Sequence, residues 1–73
     1  MEFVIVKYPE SRDVIIDEQV AGKTGETLQI ESGYHRFSLG VPLNYSPPER
    51  VVGVSDTNPS MPMKIPFTPM HGA

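Results

Sequence analysis

The chain has 73 residues, enough for one small domain, because a chain this short buries only about 60% of its unfolded surface. Nine acidic and six scattered basic residues give a net charge of −3, which argues against nucleic-acid binding, since that depends on cations that neutralise phosphates. There is no cysteine, so disulfide frameworks and thiolate zinc sites are excluded.

Two observations concern membranes and compartment. No apolar run approaches the roughly 20 residues of a membrane-spanning helix, so no membrane span is expected. The opening "MEFVIVKYPE" has no basic segment before its short apolar run and is not a signal peptide. If Met1 is the native start, we expect a cytoplasmic protein; if the chain was cut from a longer one, the compartment stays open.

The first forty residues predict four strands, because β-branched, aromatic and alternating residues dominate them. "EFVIVK" is a continuous apolar run typical of a central strand, and Pro9 ends it with a turn. Gly33 supplies a second turn, since glycine adopts positive φ at little cost. The predicted strands are 2–7, 13–17, 26–31 and 34–39.

The second half is rich in loops, because residues 42 to 69 hold seven of the eight prolines. A strand is predicted at 49–55, weakened or bulged by Gly53, and a short edge strand at 63–67, where Pro66 lacks a donor. Loops are predicted at 41–48 and 56–62. The single domain spans 1–67, and a flexible tail follows at 68–73.

These elements predict an all-β fold without helices: a small antiparallel β-sandwich of five to six short strands, or an open barrel. The alternation of apolar residues indicates which side chains face inward, with Phe3 or Ile5 covering the opposite face. The predicted core consists of Val4, Val6, Val14, Ile16, Leu28, Ile30, Phe37, Leu39 and Val52.

His35 is the residue that most resembles a reactive centre. A general base needs an orienting partner and a metal needs further ligands, yet the only other histidine is His71, near the C-terminus. His35 shares its strand face with Phe37 and Leu39. We therefore expect a largely buried His35 bonded to a backbone carbonyl or an acid, rather than a base or a metal ligand.

Other chemical motifs are incomplete. Asp17 and Glu18 are adjacent carboxylates that face opposite sides of a strand, so Asp17 is expected to close a turn through backbone N–H groups. "GKTGET" (22–27) lacks the first glycine and the helix of a phosphate-binding loop. No serine lies in a nucleophile elbow. No catalytic, cofactor-binding or metal-binding residue is predicted, and the chain is not expected to be an enzyme.

Tyr34 and Arg36 lie on the strand face opposite His35. Exposed tyrosine with arginine is favoured in protein interfaces and in stacking on sugars, but it is equally typical of side chains that cover a sheet edge. Tyr8 and Tyr45 are placed in or near loops. An apolar C-terminal series either folds back on the sheet or docks on a partner: Met61, Met63, Pro66, Phe67 and Met70.

Residues 8 to 39 resemble the PEGA domain family in an ordered set of prolines, glycines and strand residues. The resemblance departs at turns: Ser11 and Arg12 replace a Gly-Ala pair, Glu18 replaces a glycine, and Gly25 replaces a proline. The matching positions are Pro9, Val14, Ile16, Asp17, Gly22, Thr24, Leu28, Ile30, Gly33, His35, Phe37 and Leu39.

This resemblance implies a β-sandwich of the transthyretin-like or carbohydrate-binding-like kind, found as a non-catalytic module in bacterial or archaeal surface and multidomain proteins. Two hypotheses follow. The chain binds another protein, or a second copy of itself, through Tyr34, Arg36 and its strand edges; alternatively, it binds carbohydrate through exposed tyrosines. No cofactor is implied.

Overall fold

The computed structural model describes residues 1–70 and is all-β, with no helix in that range. The strands in chain order are β1 (Glu2–Lys7), β2 (Asp13–Ile16), β3 (Gln19–Lys23), β4 (Thr27–Ile30), β5 (Gly33–Ser38), β6 (Tyr45–Ser46), β7 (Arg50–Val54), β8 (Met63–Pro66) and β9 (Thr68–Pro69). The strands β1, β2 and β7 coincide with short runs of β-branched residues, and turns with proline or acidic residues follow β1 and β2.

Two larger sheets form a small β-sandwich around one core, as the sequence predicts. One has the order β4-β1-β8, with β1 central as its apolar run indicates, and the other has the order β3-β2-β5-β7. A two-stranded ribbon of β6 and β9 closes one end. All pairings are antiparallel except β1 with β8, which is parallel.

The core contains most of the predicted residues. Two predicted members, Leu28 and Val52, are only partly buried and pack against the core from its margin, while Val54 takes the deeper position on β7. Phe3 and Ile5 are half-buried on the other face of β1. The buried set is Val4, Val6, Val14, Ile16, Ile30, Phe37, Leu39, Tyr45, Val54, Ile65 and Phe67.

The proline-rich half is more ordered than the sequence predicts. Tyr45, placed in a loop, is 1% exposed, and its ring packs edge-on against Phe67 at 5.5 Å between centroids. Thr68 and Pro69, placed in the flexible tail, instead form β9, and the Met70 N–H donates to the Asn44 carbonyl. The apolar C-terminal series therefore folds back through Phe67, and residues 71–73 of the predicted tail lie outside the described residues.

Gly33 has φ 121° and makes the predicted turn between β4 and β5. Gly53, by contrast, does not bulge its strand: β5 and β7 pair without a break from Gly33 opposite Val54 to Phe37 opposite Arg50. Gly53 lies directly opposite Tyr34, and a Cβ at Gly53 would come within 3.1 Å of the tyrosine ring. Gly53 therefore leaves room for that ring to lie across β7.

Candidate functional site

The most exposed aromatic side chain lies on the outer face of the four-stranded sheet. Tyr34 is 82% exposed, and its ring crosses Gly53 toward the free edge of β7. Val51 is 60% exposed and lies opposite Arg36, which is two residues after Tyr34 on the same face of β5. We call the surface formed by Tyr34, Arg36, Val51 and Gly53 the Tyr34 face.

Charged groups surround the Tyr34 face. The Arg36 guanidinium lies 3.8 Å from a Glu18 carboxylate oxygen and 3.6 Å from a Glu49 carboxylate oxygen. All three side chains are at least half exposed, so these ion pairs add little to stability. Beside them is a shallow depression of about 280 Å³, lined by Asp17, Glu18, Tyr34, His35, Arg36 and Val51.

The turn from β2 to β3 supplies the acidic side of this depression. Asp17 and Glu18 have φ of 51° and 71°, the left-handed pair that a two-residue hairpin turn requires. Residues other than glycine, asparagine and aspartate adopt positive φ only at a cost. The Asp17 N–H donates to the Arg36 carbonyl at 2.9 Å, and the Arg36 N–H donates to Asp17 Oδ1 at 3.0 Å.

Asp17 therefore does not close its own turn, as the sequence suggested, but fastens that turn to β5. Asp17 and Glu18 lie in the turn rather than in a strand, so the expected strand parity does not apply: Glu18 is 83% exposed near the Arg36 guanidinium, and both residues line the same depression. Asp17 instead meets His35, which lies on the next strand. Only the pairing of β2 with β5 brings these two residues together, and that pairing is not visible in the local sequence.

His35 is largely covered, with 15% of its side chain exposed, and it binds both an acid and a backbone carbonyl. Nδ1 lies 2.6 Å from Asp17 Oδ2, and Nε2 lies 2.6 Å from the Glu31 carbonyl oxygen. The ring also packs edge-on against Phe37. The predicted bonds of His35 to an acid and to a backbone carbonyl are confirmed, whereas the residue as a whole is partly rather than fully buried.

Both partners of His35 are acceptors, so both ring nitrogens are satisfied together only when both carry protons. The hydrogen bond to Asp17 raises the pKa of His35, against a smaller opposing effect of burial, and the Glu31 carbonyl raises it further. Hydrogen bonds from the Arg36 N–H and then from His35 lower the pKa of Asp17. The geometry favours an imidazolium that joins the β2–β3 turn to the β4–β5 turn.

The "GKTGET" segment is occupied by structural contacts. Lys23 Nζ lies 2.6 Å from Asp13 Oδ1, and this hydrogen bond raises the pKa of Lys23. The Thr24 hydroxyl donates to the Glu10 carbonyl and accepts the Arg12 N–H. Lys23 thus fastens the end of β3 to the start of β2, and Thr24 fastens the residue after β3 to the segment before β2.

Arg12 was not singled out by the sequence, yet it organises the end of the sandwich remote from the Tyr34 face. Its guanidinium lies 5.7 Å from the Tyr8 ring centroid and 5.4 Å from that of Tyr45, and it donates to Asn44 Oδ1 and the Pro42 carbonyl at 2.8 Å each. A planar guanidinium group that lies against aromatic rings and donates several hydrogen bonds is typical of arginine. The only indication of this role in the sequence was the position of an arginine just before the apolar run of β2.

Within residues 1–70, no three His, Cys, Asp or Glu side chains are grouped so that they could hold a metal ion. None of the described elements is a helix long and apolar enough to cross a membrane. Comparison with protein-family models, curated proteins and solved structures finds no match to this chain.

Proposed function

We propose that this chain is a non-catalytic, PEGA-like β-sandwich module that binds another protein through the Tyr34 face. The observation that carries this proposal is the 82% exposed Tyr34, laid over Gly53 beside Val51 and Arg36. Tyrosine and arginine are enriched among the residues that dominate binding energy in protein interfaces. A tyrosine ring backed by a strand loses little conformational freedom when a partner covers it.

The sheet beneath supports this role by holding the Tyr34 face rigid. His35 and Asp17 join two turns below the Tyr34 face, and the strand that carries Tyr34 and Arg36 is paired on both sides, with β2 and with β7. A surface already ordered before binding pays less entropy on association. A non-catalytic role is supported by His35, whose two ring nitrogens are both bonded and leave none to take a proton from a substrate.

The PEGA-like assignment rests on the sequence resemblance and on one turn. The family carries glycine at the position of Glu18, and Glu18 here has φ 71°, a conformation that glycine adopts most readily.

Quantitative affinity capture tests the protein-binding role. Immobilised wild-type chain is compared with Tyr34→Ala/Arg36→Ala and with a control, Lys7→Ala/Lys64→Ala, on the other sheet. The proposal expects a protein retained by the wild type and by the control and lost from the Tyr34-face variant. Equal retention on all three chains contradicts it.

One observation favours a second candidate, carbohydrate binding. An exposed tyrosine ring beside the carboxylates of Asp17 and Glu18, bordering a shallow depression, offers a stacking surface with acceptors for sugar hydroxyls. Titration with millimolar monosaccharides, followed by amide NMR shifts, tests this candidate. Saturable shifts at Tyr34 and Val51 favour carbohydrate; unchanged spectra contradict it.

A further inference from the structure

The edge strands of this sandwich differ in how well they are protected from pairing with a strand of another molecule. An exposed edge presents unpaired N–H and C=O groups, and natural proteins protect such edges with lysine, proline, bulges or shortness. β3 carries Lys23 and a shift of register beside Val14 and Ile15. β8 follows Pro62 and ends at Pro66, whose carbonyl accepts a bond from Arg50.

In the two larger sheets, the remaining edge strands are β4 and β7. β4 has four residues with exposed polar side chains at Thr27 and Gln29 and acidic neighbours at Glu26 and Glu31. β7 has five residues, three of them valine, with no lysine, proline or register shift. In the described chain, β7 pairs with β5 on one side and with no strand on the other.

Side chains on the Tyr34 face fit a second copy of β7. When two β7 strands pair antiparallel with Val52 opposite Val52, each Val51 lies opposite the Gly53 of the other copy. Directly opposed residues point to the same face of a sheet, so this contact lies on the Tyr34 face. Tyr34 lies opposite its own Gly53 and covers it. Gly53 has no side chain to intervene, so the ring would reach the neighbouring Val51, and twofold symmetry repeats this contact.

Charges are compatible with this register. Arg50 would face Val54, and Glu49 would face Ser55, so no two like charges are directly opposed across the new pair. Alternate β7 residues also direct their N–H and C=O groups away from β5, where a second strand would satisfy them. Backbone groups are thus satisfied in this register, and the apolar side chains favour it over the others.

We infer that this chain associates with a second copy of itself through antiparallel pairing of β7, joining two four-stranded sheets into one of eight strands. The inference rests on the proposed function and names the partner: the Tyr34 face is completed by Val51 of the other copy. The interface is isologous, as expected of a twofold dimer, and its small area implies weak association.

Sedimentation velocity with matched variants tests the register and the edge. Val51→Lys places a charge on β7, and Val20→Lys places the same charge on the opposite edge strand, where Val20 is 66% exposed against 60% for Val51. Over a range of about 10 μM to 1 mM, suited to small interfaces, the wild type and Val20→Lys should dimerise. Val51→Lys should weaken dimerisation about tenfold or more, as edge lysines do in natural sheets.

A cross-link supplies a second readout. The chain contains no cysteine, so Val52→Cys introduces a single thiol on the proposed twofold axis, about 5 Å from its symmetry mate between Cβ atoms. Oxidation should produce a covalent dimer far faster than for Val20→Cys. Circular dichroism confirms that each variant retains its strands.

The outcomes separate this inference from the proposed function. A wild type that is monomeric at every concentration overturns the β7 pairing but leaves capture of a different protein by the Tyr34 face intact. Dimers that Val20→Lys disrupts and Val51→Lys does not also overturn it, since β3 would then be the interface. If the chain dimerises at β7 but the Tyr34 face captures no other protein, the binding of a different protein is overturned and the β7 pairing stands.

Discussion

The His35–Asp17 pair makes stability depend on pH in a direction that the structure fixes. His35 has a raised pKa, so its contribution is fully present below its ordinary value of 6.5 and is lost as the pH rises through the folded-state pKa. Asp17 has a lowered pKa, so its contribution is present above its ordinary 3.8 and is lost as the pH falls through the folded-state value. The pair therefore stabilises the fold most between these two ordinary values.

The size of the effect follows from the two bonds of His35. The hydrogen bond from Nε2 to the Glu31 carbonyl should contribute about 1 kcal/mol when the ring is charged, whereas solvent screens the bond to the exposed carboxylate of Asp17, which adds little. Above the folded-state pKa the neutral ring can donate only one of its two hydrogen bonds, so part of this stabilisation is lost. A 73-residue domain has about 4–10 kcal/mol of stability, so the loss is measurable.

Urea denaturation at pH 5.5 and pH 9 measures this difference in the wild type and in His35→Gln. The free energy of unfolding should fall between the two pH values in the wild type and change less in the variant. His71→Ala is the control: it removes the other histidine and should keep the wild-type dependence. It also assigns the two imidazole resonances, from which NMR gives the pKa of His35 directly.

A His35 pKa at or below 6.5 would refute this reasoning. The same conclusion would follow if the wild type and His35→Gln lost equal stability between pH 5.5 and pH 9, because the pH dependence would then arise elsewhere. Asp17→Asn adds a further check: with the carboxylate replaced by an amide, the pKa of His35 should fall.

Three other substitutions test the core and its remote end by urea or thermal denaturation. Phe37→Ala empties the centre of the core at a side chain that is 0% exposed and should cost about 3–5 kcal/mol, enough to unfold much of the protein; a cost below 1 kcal/mol, about that of a surface change, would contradict the packing. Tyr45→Phe removes the hydroxyl that accepts the buried Leu39 N–H at 3.1 Å and should cost about 1–3 kcal/mol, whereas an unchanged midpoint would show that this N–H has another acceptor. Arg12→Lys keeps the charge but loses the fork between Tyr8 and Tyr45, so it should destabilise by about 1 kcal/mol, and full stability in the variant would refute the role of that geometry.

The strands that the sequence predicts are those whose own residues encode burial. β1, β2, β4 and β5 have β-branched runs or clear alternation, and the core positions Val4, Val14 and Phe37 follow from that pattern. β3 was missed because an edge strand with exposed Gln19, Val20 and Ala21 has no apolar alternation. It is held by pairing with β2, a tertiary interaction.

The proline-rich half was harder to predict because its order depends on contacts distant in sequence. Tyr45 is buried by Phe67, which lies 22 positions along the chain, and β9 exists only because β6 is there to pair with it. Two-residue strands beside prolines leave no periodic pattern. Gly53 shows a related limit, since glycine in a strand indicates either a bulge or a close approach, and only the position of Tyr34 decides between them.

The candidate site was predictable in its parts and not in its arrangement. Strand parity places Tyr34 and Arg36 outside and His35 inside, as observed. The partners of these residues come from other strands: Asp17 reaches His35 across β2 and β5, and Val51 adjoins Arg36 across β5 and β7. Register between strands is set by the whole sheet, and a single sequence does not specify it locally.

Amide hydrogen exchange of the wild-type chain, measured in a dilution series, tests most directly whether the β5–β7 side of the sheet is the interaction surface. We predict that outward-facing amides within residues 50–54 are protected in concentrated protein and become exposed on dilution, while the amides of β3 and β4 exchange at the same rate throughout. Fast exchange of the β7 edge at every concentration, or concentration-dependent protection confined to β3 or β4, would contradict the pairing of β7 with a second copy.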